Sequence, residues 1–182
     1  RYPEASFLGV DLGLRQVEEG RQRIAAAGLT NIEILHQSIT ELGEEIGAFD
    51  YIICHGVYSW VPAPVRDAIL AICGRHLTEN GIAYVSYNVS PGWRLYQPLR
   101  DAFRLMIPAT HPPATRVKMA RQLLTFMKDL SPDRSPYGDM LRASPARLAA
   151  YGDDYLFHDY MEEENEPTSI SDFMNAASRH GL

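Results

Sequence analysis

A carboxylate closes the first apolar run of this chain. Phe7-Leu8-Gly9-Val10-Asp11 reads as a buried strand, and Leu12-Gly13 leads directly into a helical pattern from Leu14 to Ala27. In an open α/β sheet, an acid at the carboxyl end of a strand stands where ligands bind, and it can accept from both hydroxyls of a ribose diol. The competing role for Asp11 is a turn carboxylate before the helix. Leu12 would line the same pocket as an apolar neighbour. His55-Gly56 closes a second run, Tyr51-Ile52-Ile53-Cys54. There the glycine permits close backbone approach, and the histidine either contacts a ligand or orients the loop. Tyr58 and Trp60 follow, next to Pro62, as aromatic surface for an entrance or as loop anchors. Tyr87 ends a further apolar strand.

Two polar groups have less pointed readings. Asp154, His158 and Glu162 would share one helical face with metal-like spacing, but that alignment disappears if the segment is a strand. A solvated acidic face is the ordinary outcome, and no metal is expected. The run Glu162 to Glu166, four acids around Asn165, is either simply exposed or attracts a basic protein.

The elements that would carry these residues alternate through the first half. Ile32 to His36 is a strand. Tyr51 to His55, opened by Phe49-Asp50, is another, nearly continuous in apolar character as buried parallel strands are. Pro64 starts a helix with Val65, Ala68, Ile69, Ile72, Cys73 and Leu77 at helical spacing. Asn80-Gly81 reads as a turn and Ile82 to Tyr87 as a fourth strand. The alternation predicts a parallel sheet with right-handed crossovers. After Pro91-Gly92-Trp93 the pattern becomes helical: Leu95 to Met106, Thr115 to Leu130, Pro136 to Ala150 and Ser169 to Arg179. Tyr155 to His158 fits strand or helix. Ser169 and Asp172 have capping-box spacing, with Asp a weaker partner than Glu.

The 182 residues, 46% hydrophobic and 22% charged, suit one globular domain or one with a small subdomain. A net charge of −6, with no local Lys/Arg run, argues against a nucleic-acid binder. No apolar stretch approaches the roughly 20 residues of a membrane helix. Cys54 and Cys73 are the only cysteines, too few for a disulfide framework or a zinc site, and a reducing cytoplasm fits them. The chain opens on Arg1 almost inside a strand and closes abruptly on Arg179-His180-Gly181-Leu182, so both ends read as cut.

Taken in order, Gly9-Val10-Asp11, Asn31-Ile32-Glu33-Ile34-Leu35, Phe49-Asp50-Tyr51-Ile52-Ile53 and Leu77-Thr78-Glu79-Asn80-Gly81-Ile82 resemble the body of a class I S-adenosylmethionine-dependent methyltransferase. Tyr58 to Pro62, Tyr87 to Trp93 and Phe157 to Asn165 resemble the members that carry a methyltransferase regulatory domain, among them bacterial protein-lysine methyltransferases. The resemblance implies an α/β fold: a Rossmann-like sheet over residues 1–107, incomplete at the N-terminus, with a helical regulatory or substrate-side insert over 108–182 that Pro108, Pro112 and Pro113 would let move as a lid. The family's glycine-rich loop and the central strand before it would lie ahead of Arg1. The resemblance further implies S-adenosyl-L-methionine as cofactor, with the ribose on Asp11, Leu12 beside it, Ser38 standing where relatives place an acid for the adenine amino group, Ile39 on the ring face, and His55 and Gly56 near the methionine part.

The implied reaction is methyl transfer to a nucleophile such as a protein lysine amine, with Tyr58, Trp60, Tyr87 and Trp93 at the substrate entrance and a methyl-acceptor protein as partner. No nucleic acid or membrane partner is expected, and the oligomeric state is left open. Two alternatives remain at this level. One is a catalytically silent methyltransferase-like module that binds a partner protein, motivated by the absent glycine loop and by Ser38. The other is a nucleotide-dependent oxidoreductase, which would also want an acid at Asp11.

Overall fold

Apolar residues at Phe7–Asp11 and Ile32–His36 form β1 and β2, which pair in parallel with Asp11 opposite His36 in the computed structural model. The structure describes residues 2–132, 134–149 and 152–182. Helix α1 (Leu14–Ala26) makes the crossover, burying Val17 completely while its charged face stays in solvent. Arg21 reaches from it to the carbonyl of Ile34, with Nη2 at 2.6 Å.

A second parallel pair is β3 (Phe49–Cys54) with β4 (Leu77–Val85), joined by α2 (Ala63–His76). Pro64 stands in the first turn of α2, where its missing N–H costs nothing. Ile69, Leu70, Ile72 and Cys73 are buried, each aliphatic side chain contributing roughly 2 kcal/mol of burial. The expected Asn80-Gly81 turn is absorbed into β4 as an irregularity. From Phe49 to Tyr51 the partner strand advances from Leu77 to Ile82, so the intervening residues bulge out. A Cβ on Gly81 would come within 3.0 Å of the Phe49 carbonyl, which is why the residue there is glycine.

The two pairs are separate two-stranded sheets, so β1 has no strand partner beyond β2 and β3 none beyond β4 among the described residues. The apolar side chains Tyr51, Ile53, Ile82 and Tyr84, on adjacent register positions, are 53% to 72% exposed. The near-continuous apolar character of these strands is that of a sheet covered on both faces, and this chain leaves those four side chains uncovered.

The chain forms two compact units. One runs to Tyr87 and resumes at Thr168–Leu182; the other is Asn88–Pro167. The sequence places the boundary after residue 107; the observed division comes earlier and returns the last segment to the strand-bearing unit. In the helical unit, a 3₁₀ turn over Gly92–Tyr96 precedes α3 (Gln97–Met106), α4 (Pro113–Leu130), α5 (Pro136–Ala149) and α6 (Asp153–Met161). The helix expected from Leu95 begins later because Pro98 belongs in a first turn. The expected end of α5 at Ala150 lies outside the described residues. Tyr155 to His158 is helical: Leu156 and Tyr160, four apart, are both buried, and Asp153 and Asp154 stand at the favourable end of the helix dipole. The helices close on Leu99, Phe103, Val117, Leu124, Leu141 and Leu148.

Back in the first unit, α7 (Ile170–Ser178) starts at Ser169, whose Oγ accepts from the Asp172 amide at 3.0 Å. The hydroxyl donates to Asp172 Oδ2 at 2.6 Å, so the short Asp side chain meets the cap residue's side chain. Asp67 on α2 receives His180 Nε2 at 2.9 Å and Arg179 Nη2 at 3.9 Å, which ties the end of the chain to that helix.

Candidate functional site

Asp11 is the last residue of β1, as its position at the end of an apolar run requires. Its Oδ1 accepts from the Gly13 amide at 2.7 Å, the Asx-turn geometry expected of a turn carboxylate. Only one oxygen is used in this way. Among the described residues Oδ2 accepts no hydrogen bond, so the turn leaves one carboxylate oxygen unused. Leu12 beside it is 71% exposed. The Gln37 amide donates to the Asp11 carbonyl at 3.1 Å, and His36 Nε2 lies 3.0 Å from the Leu12 carbonyl. From the sequence His36 is only the last residue of a strand. Its place opposite Asp11 is a matter of register, which no local pattern reports.

Ser38 caps the 3₁₀ turn Ile39–Glu41: its Oγ accepts from the Thr40 amide at 3.3 Å and lies 2.7 Å from Thr40 Oγ1. Its hydroxyl is therefore engaged locally. Ile39 packs against the buried cluster of Tyr58, Ile69, Leu70 and Ala177, which binds the end of β2 to the loop that follows β3.

At the end of β3, His55 stacks on Tyr84 with ring centroids 5.9 Å apart, and the Tyr84 hydroxyl lies 3.5 Å from Nδ1. Gly56 has φ +71°, a conformation L side chains rarely adopt, and its amide donates to Ser86 Oγ at 2.7 Å. The next residues differ sharply in burial. Tyr58 is 4% exposed, while Trp60 and Tyr87 are half-buried. Tyr58 meets Phe173 of α7 edge-on at 5.4 Å and Tyr87 at 6.0 Å, and Tyr87 stacks on Phe173 at 4.4 Å. Burial pushes the Tyr58 hydroxyl above its usual range, partly opposed by Arg66 and Arg179. Phe173 was not singled out from the sequence, because nothing local links a residue near the C-terminus to the ends of β3 and β4. Trp93 belongs to the helical unit, where it meets Tyr96 at 5.3 Å and Tyr160 at 6.2 Å.

Cys54 is free, and burial together with the nearby Cys73 pushes its thiol up to about 11, against a smaller opposing effect of a backbone hydrogen bond from Tyr58. That is the behaviour of a packed thiol and not of an activated nucleophile. Glu162 sits just past the end of α6, so the face shared by Asp154 and His158 does not extend to it as helix. Among the described residues, no group of three or more His, Cys, Asp or Glu is placed to hold a metal ion, and no helix is long and apolar enough to cross a membrane.

An acid-ended strand with a parallel neighbour, and a glycine loop after a second parallel strand pair, are features that nucleotide-binding α/β sheets share. Residues 1–81 match a methyltransferase domain, and residues 152–182 match a predicted methyltransferase regulatory domain. The chain belongs to the class I S-adenosylmethionine-dependent methyltransferases, with a Rossmann-like α/β fold and a regulatory-domain segment. It is similar to uncharacterized protein RP789 of Rickettsia prowazekii, 45% identical over 182 residues and 33% of that protein. Uncharacterized protein RP028 of the same organism is 36% identical over 98% of this chain and 72% of its own length. Among solved structures, PKMT2 from Rickettsia typhi, also known in complex with AdoHcy, superposes with a TM-score of 0.85 at 38% identity, covering 98% of this chain. The chain spans about a third of the length of RP789 and of PKMT2.

Proposed function

We propose that this chain carries the cofactor edge of a methyltransferase that moves a methyl group from S-adenosyl-L-methionine to a lysine amine of a protein in the cytoplasm. The observation that carries the reading is Asp11: a carboxylate at a strand end, held by one oxygen in a local turn, with the other left to accept from ribose hydroxyls. The donor set fits the group in part. Asp11 offers an acceptor to the ribose, whereas the Ser38 hydroxyl is engaged with Thr40 and the glycine-rich loop of the family is not in this sequence. The open flanks of β1 and β3 are what a further central strand in the full-length protein would pair with, and unpaired buried strand edges are costly.

The cofactor supplies an activated methyl group on a sulfonium. The protein's part is to hold the acceptor in line and exclude water. A lysine must reach the site neutral, and an apolar aromatic entrance favours that form by disfavouring the ammonium. Trp60 and Tyr87, half-buried after β3 and β4, are assigned to that entrance. Tyr58, inside the core, is assigned to holding Tyr87 in place. His55 and Gly56 are assigned to the methionine side, and Leu12 and Ile39 to the apolar surroundings of the nucleoside. The net charge of −6 and the acids from Glu162 to Glu166 suit a basic protein acceptor.

Calorimetric titration of S-adenosylhomocysteine into this chain and into the full-length protein tests the reading. Binding by the full-length protein, weakened about 30-fold or more by Asp11→Ala, is expected from the loss of charge-assisted hydrogen bonds worth roughly 2 kcal/mol or more in all. An unchanged affinity in Asp11→Ala would remove the assignment. Absence of binding by the full-length protein would favour the silent partner-binding module.

A further inference from the structure

We infer that His36 is a positioning residue for the Asp11 carboxylate, acting through one peptide plane. The inference rests on Asp11 being the ribose acceptor. The Leu12 carbonyl accepts from His36 Nε2 at 3.0 Å, and the Gly13 amide donates to Asp11 Oδ1 at 2.7 Å. These two groups belong to the same peptide unit, which is rigid and planar, with C=O and N–H pointing in opposite directions. Holding the oxygen therefore aims the N–H. The aimed N–H in turn selects the Asp11 rotamer in which Oδ1 faces the turn and Oδ2 does not.

A carbonyl can only accept, so Nε2 carries the hydrogen in this contact. The geometry of this clamp comes from register: Asp11 pairs with His36, and the Gln37 amide adds a bond to the Asp11 carbonyl at 3.1 Å. No side chain caps the N-terminus of α1 at Gly13, and Leu12 is 71% exposed. The strand-to-helix connection therefore lacks both devices that would otherwise fix its peptide planes, a capping side chain and burial. Among the described residues, the Leu12–Gly13 plane is held by His36 at one end and by Asp11 at the other.

The test compares the full-length protein with His36→Gln, whose side-chain amide can place a donor near the Nε2 position, and His36→Phe, which keeps a ring without a donor. Two readouts are taken: hydrogen exchange of the Gly13 amide, and S-adenosylhomocysteine affinity alone and combined with Asp11→Ala. In His36→Phe, Gly13 protection and affinity should each fall about fivefold, the worth of one neutral hydrogen bond. His36→Gln should restore both to within about twofold of the parent. The double variant His36→Phe/Asp11→Ala should bind no worse than Asp11→Ala, because residues that act through one another are non-additive.

Unchanged Gly13 exchange in His36→Phe overturns the inference, as does an additive loss in the double variant. If His36→Phe does not fold, His36→Asn replaces it, since its amide stops one methylene short of the Leu12 carbonyl. Loss of Gly13 protection in a protein that binds no S-adenosylhomocysteine even as wild type would sustain the clamp and overturn the cofactor role of Asp11 instead.

Discussion

Replacing Arg100 by Ala should destabilise the helical unit more than any other single truncation of a charged residue in it. The side chain is 1% exposed on α3, and its guanidinium donates through Nη1 to the Asp159 carbonyl at 2.7 Å and through Nη2 to the Glu162 carbonyl at 2.6 Å. Those carbonyls end α6, where no further helical N–H is available and where a cation complements the dipole. Burial, with neighbouring Arg104, pushes the Arg100 pKa below its usual range, opposed by Asp101, Asp159 and Glu162. Each carbonyl stripped of its donor costs about 1–3 kcal/mol, and the lost packing of the stem adds about 1 kcal/mol. The expected loss is therefore roughly 3–7 kcal/mol, a fall in Tm of about 12 °C or more for a unit of this size. Arg100→Lys, a single point donor, should recover about half. The two tryptophans fall one in each unit, so a Trp60→Phe background leaves Trp93, packed on Tyr96 and Tyr160, to report the helical unit by fluorescence during urea unfolding. A loss below about 1 kcal/mol would refute the view that this guanidinium closes the end of α6.

Two further perturbations probe the strand-bearing unit. A Cβ at Gly74 would meet the backbone of His180, with the carbonyl carbon 3.1 Å away, so Gly74→Ala should push α7 off α2 and cost about 1–3 kcal/mol; urea unfolding followed by Trp60 in a Trp93→Phe background checks it, and an unchanged midpoint would refute the contact. Iodoacetamide should label Cys54 slowly at pH 8 and faster as pH rises toward its pKa of about 11. Because the folded pKa lies above the unfolded one, its contribution to stability is complete below about pH 9 and is lost as pH rises toward 11. A labelling midpoint near pH 9 would show the thiol to be exposed.

Much of the fold was readable because its determinants are local. The period-2 and period-3.6 patterns, Pro64 in a first turn and Ser169 at a cap all act within one element, and the observed bounds of β2 and α7 follow from them. Asn80-Gly81 shows the limit of that reasoning: its turn chemistry is real, but pairing with β3 carries the strand straight through it as a bulge. The placement of Tyr155 to His158 needed the packing of Leu156 and Tyr160 to choose helix over strand.

For the site the division is equally physical. The residue types by themselves placed an acid at the end of β1 and aromatics after β3 and β4, because a strand end is a property of the adjoining sequence. Which oxygen of Asp11 is spent on its own turn, that His36 stands opposite it, and that Phe173 returns from the far end of the chain to seat Tyr58 and Tyr87 were decided only by tertiary structure. Register and chain return join residues 25 to 115 positions apart, as with Asp11 and His36 or Tyr58 and Phe173. No periodicity within an element carries that information.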